Sequence, residues 1–162
     1  MRVSIFLCSV LLLLLNATSC SEKATLDAPD EVKPATILQL VNEARTTGCT
    51  CGNTSYPPVP ALNWNTLLES TAQAHSEDMR AVNTLSHQGS NGSDAGSRLT
   101  QAGYIWQTYG ENIAEGYTSE AAVVKGWLES EGHCKNIMKE TFTEMGVATS
   151  GSYWTQVFGT PR

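Results

Sequence analysis

The sequence predicts an α+β fold, with helices first along the chain and a pair of antiparallel strands last. Apolar residues recur at helical spacing between about residues 35 and 128, and alternating strand-like runs follow near the C-terminus. The chain has 162 residues, of which 41% are hydrophobic. This length and composition suit one domain with a hydrophobic core, which we expect over residues 35–162.

The first 19 residues resemble an export signal rather than part of this fold. A charged start precedes an apolar run over residues 3–15, which is too short to cross a bilayer as a helix. Small residues at positions 17–19 then lead to Cys20, the position that bacterial lipoproteins lipidate. We predict a signal peptide over 1–19 and a lipid-anchored tether over 20–34. The alternative is plain secretion after cleavage behind Ser19, and both place the protein outside the cytoplasm.

Two helices are predicted in the first part of the domain and a third in its second half. The first runs from Ala35 to Gly48, while Asn65 and Ser119 are predicted N-caps of the second and third. Their apolar faces consist of side chains three and four residues apart: Ile37, Leu40, Val41 and Ala44; Leu68, Ala72, His75, Met79 and Val82; and Val123, Val124, Trp127 and Leu128.

The remaining segments are predicted as loops, a short helix and a hairpin. Polar and glycine-rich stretches indicate loops over 48–60 and 86–96, and a short helix over about 98–102 stops at Gly103. Two strand-like runs, Met145–Thr149 and Tyr153–Phe158, flank a Ser-Gly-Ser turn and predict an antiparallel hairpin.

The cysteines predict one disulfide and one free thiol in an oxidising compartment. Cys8 leaves with the signal peptide and Cys20 is assigned to the lipid, so Cys49, Cys51 and Cys134 remain. Cys49 and Cys51 are separated by one residue, which is too tight for a relaxed bridge between them. We expect Cys134 to pair with one of the two, preferably Cys51. Closing a loop of about eighty residues is worth ~4 kcal/mol in the chain-entropy description.

The charge of the chain excludes nucleic acid as an expected partner. The formal net charge is −6, and the basic residues are scattered singly. A polyanion-binding surface needs clustered Lys and Arg side chains. Contact with a membrane is therefore expected only through the lipid anchor.

Two histidines and a carboxylate are candidates for chemistry. His87 lies in the polar loop after the second helix, Glu111 lies in a predicted Gly-Glu-Asn turn, and His133 follows the expected end of the third helix at Gly132. Such a set can hold zinc with water as fourth ligand, or perform general acid–base chemistry. The structural alternative is that Glu111 and His87 only hold their loops by hydrogen bonds. His75, on an apolar helix face, is expected to be a buried core histidine.

Seven segments, in order, resemble one family. They are Pro58–Asn65, His75–Met79, Leu85–Gly89, Gly110–Ala114, Gly126–Leu128, Gly132–Met138 and Tyr153–Gly159. Over about residues 36–159 the chain is similar to the CAP superfamily of cysteine-rich secretory proteins, antigen 5 and class 1 pathogenesis-related proteins. The similarity is strongest to its bacterial branch, with the SCP domain. The resemblance implies an α-β-α sandwich with a small antiparallel sheet.

The resemblance also implies a ligand cleft. Eukaryotic members carry two His and two Glu there, and some bind a divalent metal. His87 and Glu111 match one of each, whereas Tyr153 and Ser130 stand where the second His and Glu belong. His133 is expected to replace a missing ligand, which gives a cleft of His87, Glu111, His133 and Tyr153 with zinc as the metal to consider.

Two functions fit these residues, and a third hypothesis gives them no ligand. We assign no catalytic residue under any of them. The leading hypothesis is a secreted or lipid-anchored binding module that recognises a lipid, an envelope component or a protein through the His/Glu cleft. The alternative is a metal-dependent, peptidase-like hydrolase, with His87, Glu111 and His133 as ligands and water as nucleophile. A structural envelope protein without a small ligand is the third hypothesis.

Overall fold

A four-stranded sheet lies between two layers of helices in the computed structural model of the protein, which describes residues 31–162. The predicted signal peptide, Cys20 and the tether up to residue 30 lie outside the described residues. Within residues 31–162, none of the helices is long and apolar enough to cross a membrane. The predicted α+β class is confirmed.

The described part of the chain contains five helices and six strands, which are interspersed along the sequence. The helices are α1 (Pro34–Thr47), α2 (Thr66–Val82), α3 (Ala95–Gln101), α4 (Glu120–Glu129) and α5 (Glu131–Ile137). The strands are β1 (Cys49–Cys51), β2 (Thr54–Tyr56), β3 (Asn63–Trp64), β4 (Trp106–Glu115), β5 (Glu144–Ser150) and β6 (Tyr153–Pro161).

Capping side chains set the starts of three helices. Asn65 and Ser119 accept hydrogen bonds from main-chain N–H groups in the first turns of α2 and α4, as predicted. The short helix predicted over 98–102 begins earlier, as α3, because the Asp94 carboxylate caps it. The predicted loop over 48–60 contains a short hairpin, since β1 pairs antiparallel with β2.

The third predicted helix is divided in two at Ser130. The backbone of Ser130 is extended, so α4 ends there and α5 begins at the next residue. The predicted helix end at Gly132 is therefore wrong, and His133 lies inside α5. The break brings α5 into contact with β1 and β4.

The turn predicted around Glu111 is also wrong, because this residue lies in the middle of β4. Polar residues and Gly110 hide the strand pattern in this segment. Gly110 is required by close packing, since a Cβ atom there would lie 2.7 Å from the Phe142 ring. Pairing with β6, rather than local strand propensity, therefore determines β4.

The predicted C-terminal hairpin is formed by β5 and β6; β5 is one residue longer than expected at each end, and β6 begins at Tyr153 as expected and continues to Pro161. Strand order in the sheet is β3-β5-β6-β4, with β3 parallel to β5 and the other pairs antiparallel. β4 is thus an edge strand, and it carries Glu111.

The two faces of the sheet are covered differently. Helices α2 and α3 cover one face, and α2 approaches so closely that a Cβ atom on Gly146 would lie 2.1 Å from the Glu69 nitrogen. Helices α1, α4 and α5 enclose the larger apolar core on the other face. Its largest buried side chains include Trp127, Phe142, Met145, Trp154 and Phe158.

A buried arginine and a disulfide hold the second layer together. The Arg45 guanidinium on α1 donates hydrogen bonds to the main-chain carbonyls of Pro60, Ile137, Lys139 and Phe142. Burial lowers the pKa of Arg45 to about 10, so the group stays charged at neutral pH. The predicted Cys51–Cys134 disulfide is confirmed and joins β1 to α5, while Cys49 is free.

Candidate functional site

Glu111 is a carboxylate buried at the edge of the sheet. It pairs with Val157 across β4 and β6, and its side chain is only 4% exposed. A buried carboxylate is stable only when positive charge and hydrogen-bond donors surround it. The donors around Glu111 therefore define the site.

Two side chains share this carboxylate. Nη2 of Arg98 donates to Oε2 at 2.6 Å, and Nδ1 of His87 donates to Oε1 at 2.8 Å. Arg98 also donates to the main-chain oxygens of His87 and Ser93. The loop between α2 and α3 is thus tied to Glu111 through Arg98 as well as through His87.

His75 forms the buried wall behind this pair. The residue is 1% exposed, as predicted for a core histidine, and Nε2 donates to the Ser86 carbonyl at 2.8 Å. The same nitrogen lies 3.8 Å from Oε1 of Glu111. Burial lowers the pKa of His75, so the ring is neutral at neutral pH. Its Nδ1 and Nε of Arg98 are both buried without a hydrogen-bond partner among the described residues.

His133 approaches the site from the other layer. It is half-buried on α5, and burial, together with the charge of His87, lowers its pKa. The two imidazoles therefore lie close enough to interact electrostatically. Asn112, next to Glu111 in β4, donates to the main-chain oxygen of His133 and to Gln156. Asn136 donates in turn to Asn112 and to the main-chain oxygen of Glu111, which fixes α5 against β4.

Tyr153 lies elsewhere on the same face of the sheet. Its register partner is Glu115, four residues from Glu111, which corresponds to about 14 Å at roughly 3.4 Å per residue. The ring packs in a cluster with Met79 and Ile113, and its hydroxyl donates to Asn83. His87 and Glu111 share a hydrogen bond and line one depression, whereas His133 is joined to β4 through Asn112 and Tyr153 lies apart from that depression.

Arg98 is the main site residue that the sequence analysis missed. It lies four residues after the Asp94 cap of α3, and a single arginine in a short helix gives no signal of its partner. The ion pair spans 13 residues and depends on the packing of α3 beside β4. No spacing in the sequence indicates this contact between α3 and β4.

A groove opens beside His87, and we call it the His87 groove. It combines two adjoining depressions of about 380 and 630 Å³ that share Asp94 and Tyr109. The first is lined by His87, Gln88, Asp94, Ala95, Tyr109 and Glu111. The second adds Gly96, Ser97, Thr100, Gln101 and Trp106. The rings of Trp106 and Tyr109 pack edge-to-face, with their centroids 4.7 Å apart, and form an aromatic rim.

The site residues fit a metal poorly. Both oxygens of Glu111 already accept charged or polar N–H donors, and the Arg98 guanidinium would repel a cation beside them. Across residues 31–162, the only set of three metal-ligating side chains whose donor atoms all lie within 4.8 Å of one another is Cys49, Cys51 and Cys134. His87, Glu111 and His133 do not form such a group. The arrangement instead holds an imidazole in a fixed orientation.

The buried neutral His75 predicts a pH-dependent stability. In the unfolded chain its imidazole has the ordinary pKa of about 6.5 and takes up a proton that the folded ring resists. The free energy of unfolding should therefore be fully retained above about pH 6.5 and fall as the pH is lowered below that value. Urea unfolding at several pH values measures this slope.

Substitution of each histidine shows which imidazole causes the pH dependence of the free energy of unfolding. His75→Gln and His133→Gln each remove one imidazole with a lowered pKa and should flatten the profile. Lys125→Gln, at an exposed position of α4, should leave it unchanged. A slope in His75→Gln equal to that of the parent protein would contradict the burial of a neutral ring.

Comparisons with known proteins agree with this architecture. The sequence model of the Cysteine-rich secretory protein family, CAP, matches residues 38–158. The uncharacterized protein YkwD of Bacillus subtilis is 34% identical over 146 residues, which cover 88% of this chain and 53% of that protein. The chain therefore spans about half the length of this relative.

Two solved structures share the fold. An extracellular protein with an SCP domain from Bacillus anthracis gives a TM-score of 0.68 at 34% identity, over 77% of this chain and 39% of that one. An outer surface protein of Borrelia burgdorferi gives a TM-score of 0.65 at 17% identity. The match covers 82% of this chain and 98% of that one. With the family match over most of its length, the chain belongs to the CAP family of cysteine-rich secretory proteins.

Proposed function

We propose that this CAP domain is an extracytoplasmic binding module whose His87 groove recognises a glycan of the cell envelope. The observation that carries the proposal is His87 itself. Its side chain is 59% exposed, yet its Nδ1 atom is bound to a carboxylate that is only 4% exposed. An exposed ring held by a buried partner presents its other nitrogen to a ligand in one orientation.

The hydrogen bond to Glu111 assigns the protons of this ring. An ionised carboxylate only accepts hydrogen bonds, so Nδ1 of His87 must carry the proton between them. In the neutral ring Nε2 is then an acceptor, and in the protonated ring it is a donor. A hydroxyl group can serve as partner in both states.

The lining of the groove suits a sugar better than a lipid tail. Polar side chains, among them Gln88, Asp94 and Gln101, offer donors and acceptors for hydroxyl and amide groups. The Trp106 and Tyr109 rings offer apolar faces beside them. A lipid tail would leave those polar groups without partners, at a cost in free energy.

The hydrolase alternative gains nothing from this geometry. A metal-dependent mechanism needs open ligands, whereas the Glu111 carboxylate is already paired with Arg98 and His87.

The proposal also includes the location of the protein outside the cytoplasm. We propose export by the signal over residues 1–19 and a lipid on Cys20, and we expect no nucleic-acid partner. The resemblance to extracellular and outer surface proteins supports this location.

Glycan binding is tested by calorimetry with N-acetylglucosamine oligosaccharides and muramic-acid-containing wall fragments. We expect binding to the parent protein and a loss of about tenfold in affinity for His87→Ala, which is about 1.4 kcal/mol. Lys125→Ala, on an exposed part of α4, is the matched control and should bind normally. Equal affinity of His87→Ala and the parent would contradict the proposed site, and binding to neutral phospholipid vesicles in place of glycans would favour the lipid alternative.

The lipid anchor is tested separately by fractionation of cells that express the full chain. We expect the protein in the membrane fraction, with a mass at its N-terminal peptide that includes a diacylglyceryl group on Cys20. Cys20→Ser should move the protein to the soluble or secreted fraction without altering the domain. Membrane association that persists in Cys20→Ser would contradict the anchor.

A further inference from the structure

Three sulfur atoms meet where β1 contacts α5. The Cys51–Cys134 disulfide is buried, with both residues 0% exposed. The Cys49 sulfur lies 3.6 Å from that of Cys134 and 4.0 Å from that of Cys51. Cys49 is only half-buried, so the cluster has one member that reaches the surface.

The strand geometry explains this arrangement. Cys49 and Cys51 are two residues apart in β1, and side chains at that spacing point to the same face of a strand. Both sulfurs therefore face Cys134 on α5. The free thiol is held beside the bridge by backbone pairing of β1 with β2 rather than by chance contact of a mobile side chain.

We propose that Cys49 is a thiol–disulfide exchange site through which the buried bridge becomes reachable from solvent. The Cys49 thiolate attacks the Cys134 sulfur, the Cys49–Cys134 bond forms, and the Cys51–Cys134 bond breaks with Cys51 as the leaving thiolate. The proton lost by Cys49 is replaced by one taken up from solvent at Cys51. One thiol and one disulfide are present before and after, so this step consumes no oxidant or reductant.

The exchanged bridge then has a sulfur at the surface. A dithiol reductant, such as a small dithiol or the paired thiols of an oxidoreductase, attacks the Cys49 sulfur and releases Cys134 as a thiolate. Its second thiol then displaces Cys49 from the mixed disulfide. The reductant is oxidised to a disulfide and the protein bridge is reduced to two thiols. Direct attack on the Cys51–Cys134 bridge is blocked because both of its residues are buried.

Burial also raises the pKa of the Cys49 thiol, which keeps most of it protonated at neutral pH. The reactive thiolate is therefore a minor species, and the resting bridge is long-lived. This inference concerns a face of the domain formed by β1 and α5 and does not depend on the His87 groove.

The rate of bridge reduction tests the proposal. Oxidised full-length protein and its Cys49→Ser variant are treated with limiting dithiothreitol under native conditions, quenched by alkylation at intervals and sequenced by fragment-ion mass spectrometry. Fragmentation is needed because Cys49 and Cys51 share a peptide. We expect the Cys51–Cys134 bridge to be reduced at least about tenfold more slowly in Cys49→Ser. Equal rates in the two proteins, with equal urea midpoints, would overturn the proposal.

A second variant tests the exchanged pairing directly. Cys51→Ser removes the resting partner, and we expect it to carry a Cys49–Cys134 disulfide after purification under oxidising conditions. Free thiols at both Cys49 and Cys134 in folded Cys51→Ser would also overturn the proposal. If Cys51→Ser does not fold, the comparison of reduction rates in the parent and Cys49→Ser decides alone.

Discussion

The organisation of the site depends on one buried carboxylate. Glu111 lies on an edge strand of the sheet, where an ionised group without partners would strongly destabilise the fold. Arg98 from α3 and His87 from the preceding loop supply the partners, at 2.6 and 2.8 Å. The need to compensate this charge therefore positions the loop, α3 and the exposed imidazole together.

The two faces of β4 have separate roles. On one face Glu111 meets the groove and the buried His75. On the other, Asn112 joins Gln156 and Asn136, and α5 is held against the strand. An edge strand bound on both faces by side-chain hydrogen bonds is a well-ordered support for a site.

Regular elements with a clear apolar pattern could be predicted from the sequence. The apolar faces of α1, α2 and α4 and the final hairpin follow from residues such as Ile37, Leu68 and Trp127, and the caps at Asn65 and Ser119 follow from local chemistry. Strand β4 could not be predicted in this way. Its polar residues form hydrogen bonds with partners far away in the sequence, and Gly110 is needed because a Cβ atom there would clash with the Phe142 ring. The break at Ser130, which places His133 inside a helix, likewise has no strong local signal.

The candidate site was accessible to sequence reasoning only in part. His87 and Glu111 were candidates as polar residues in loops, and the family resemblance brought them together. Arg98 depends on tertiary packing, and no spacing in the sequence joins it to Glu111. The cysteines show the same limit. Their number predicts one disulfide and one free thiol, but it does not predict that the Cys49 sulfur lies 3.6 Å from the Cys134 sulfur.

The hydrogen bond to Glu111 orients the His87 ring and determines its tautomer, and that tautomer can be measured directly. A long-range proton–nitrogen NMR spectrum above the titration range of imidazole identifies which ring nitrogen carries hydrogen. We predict the proton on Nδ1, in contrast to free histidine, which favours Nε2. A neutral His87 protonated on Nε2 would contradict the hydrogen bond to Glu111, and with it the orientation on which the proposed binding site depends.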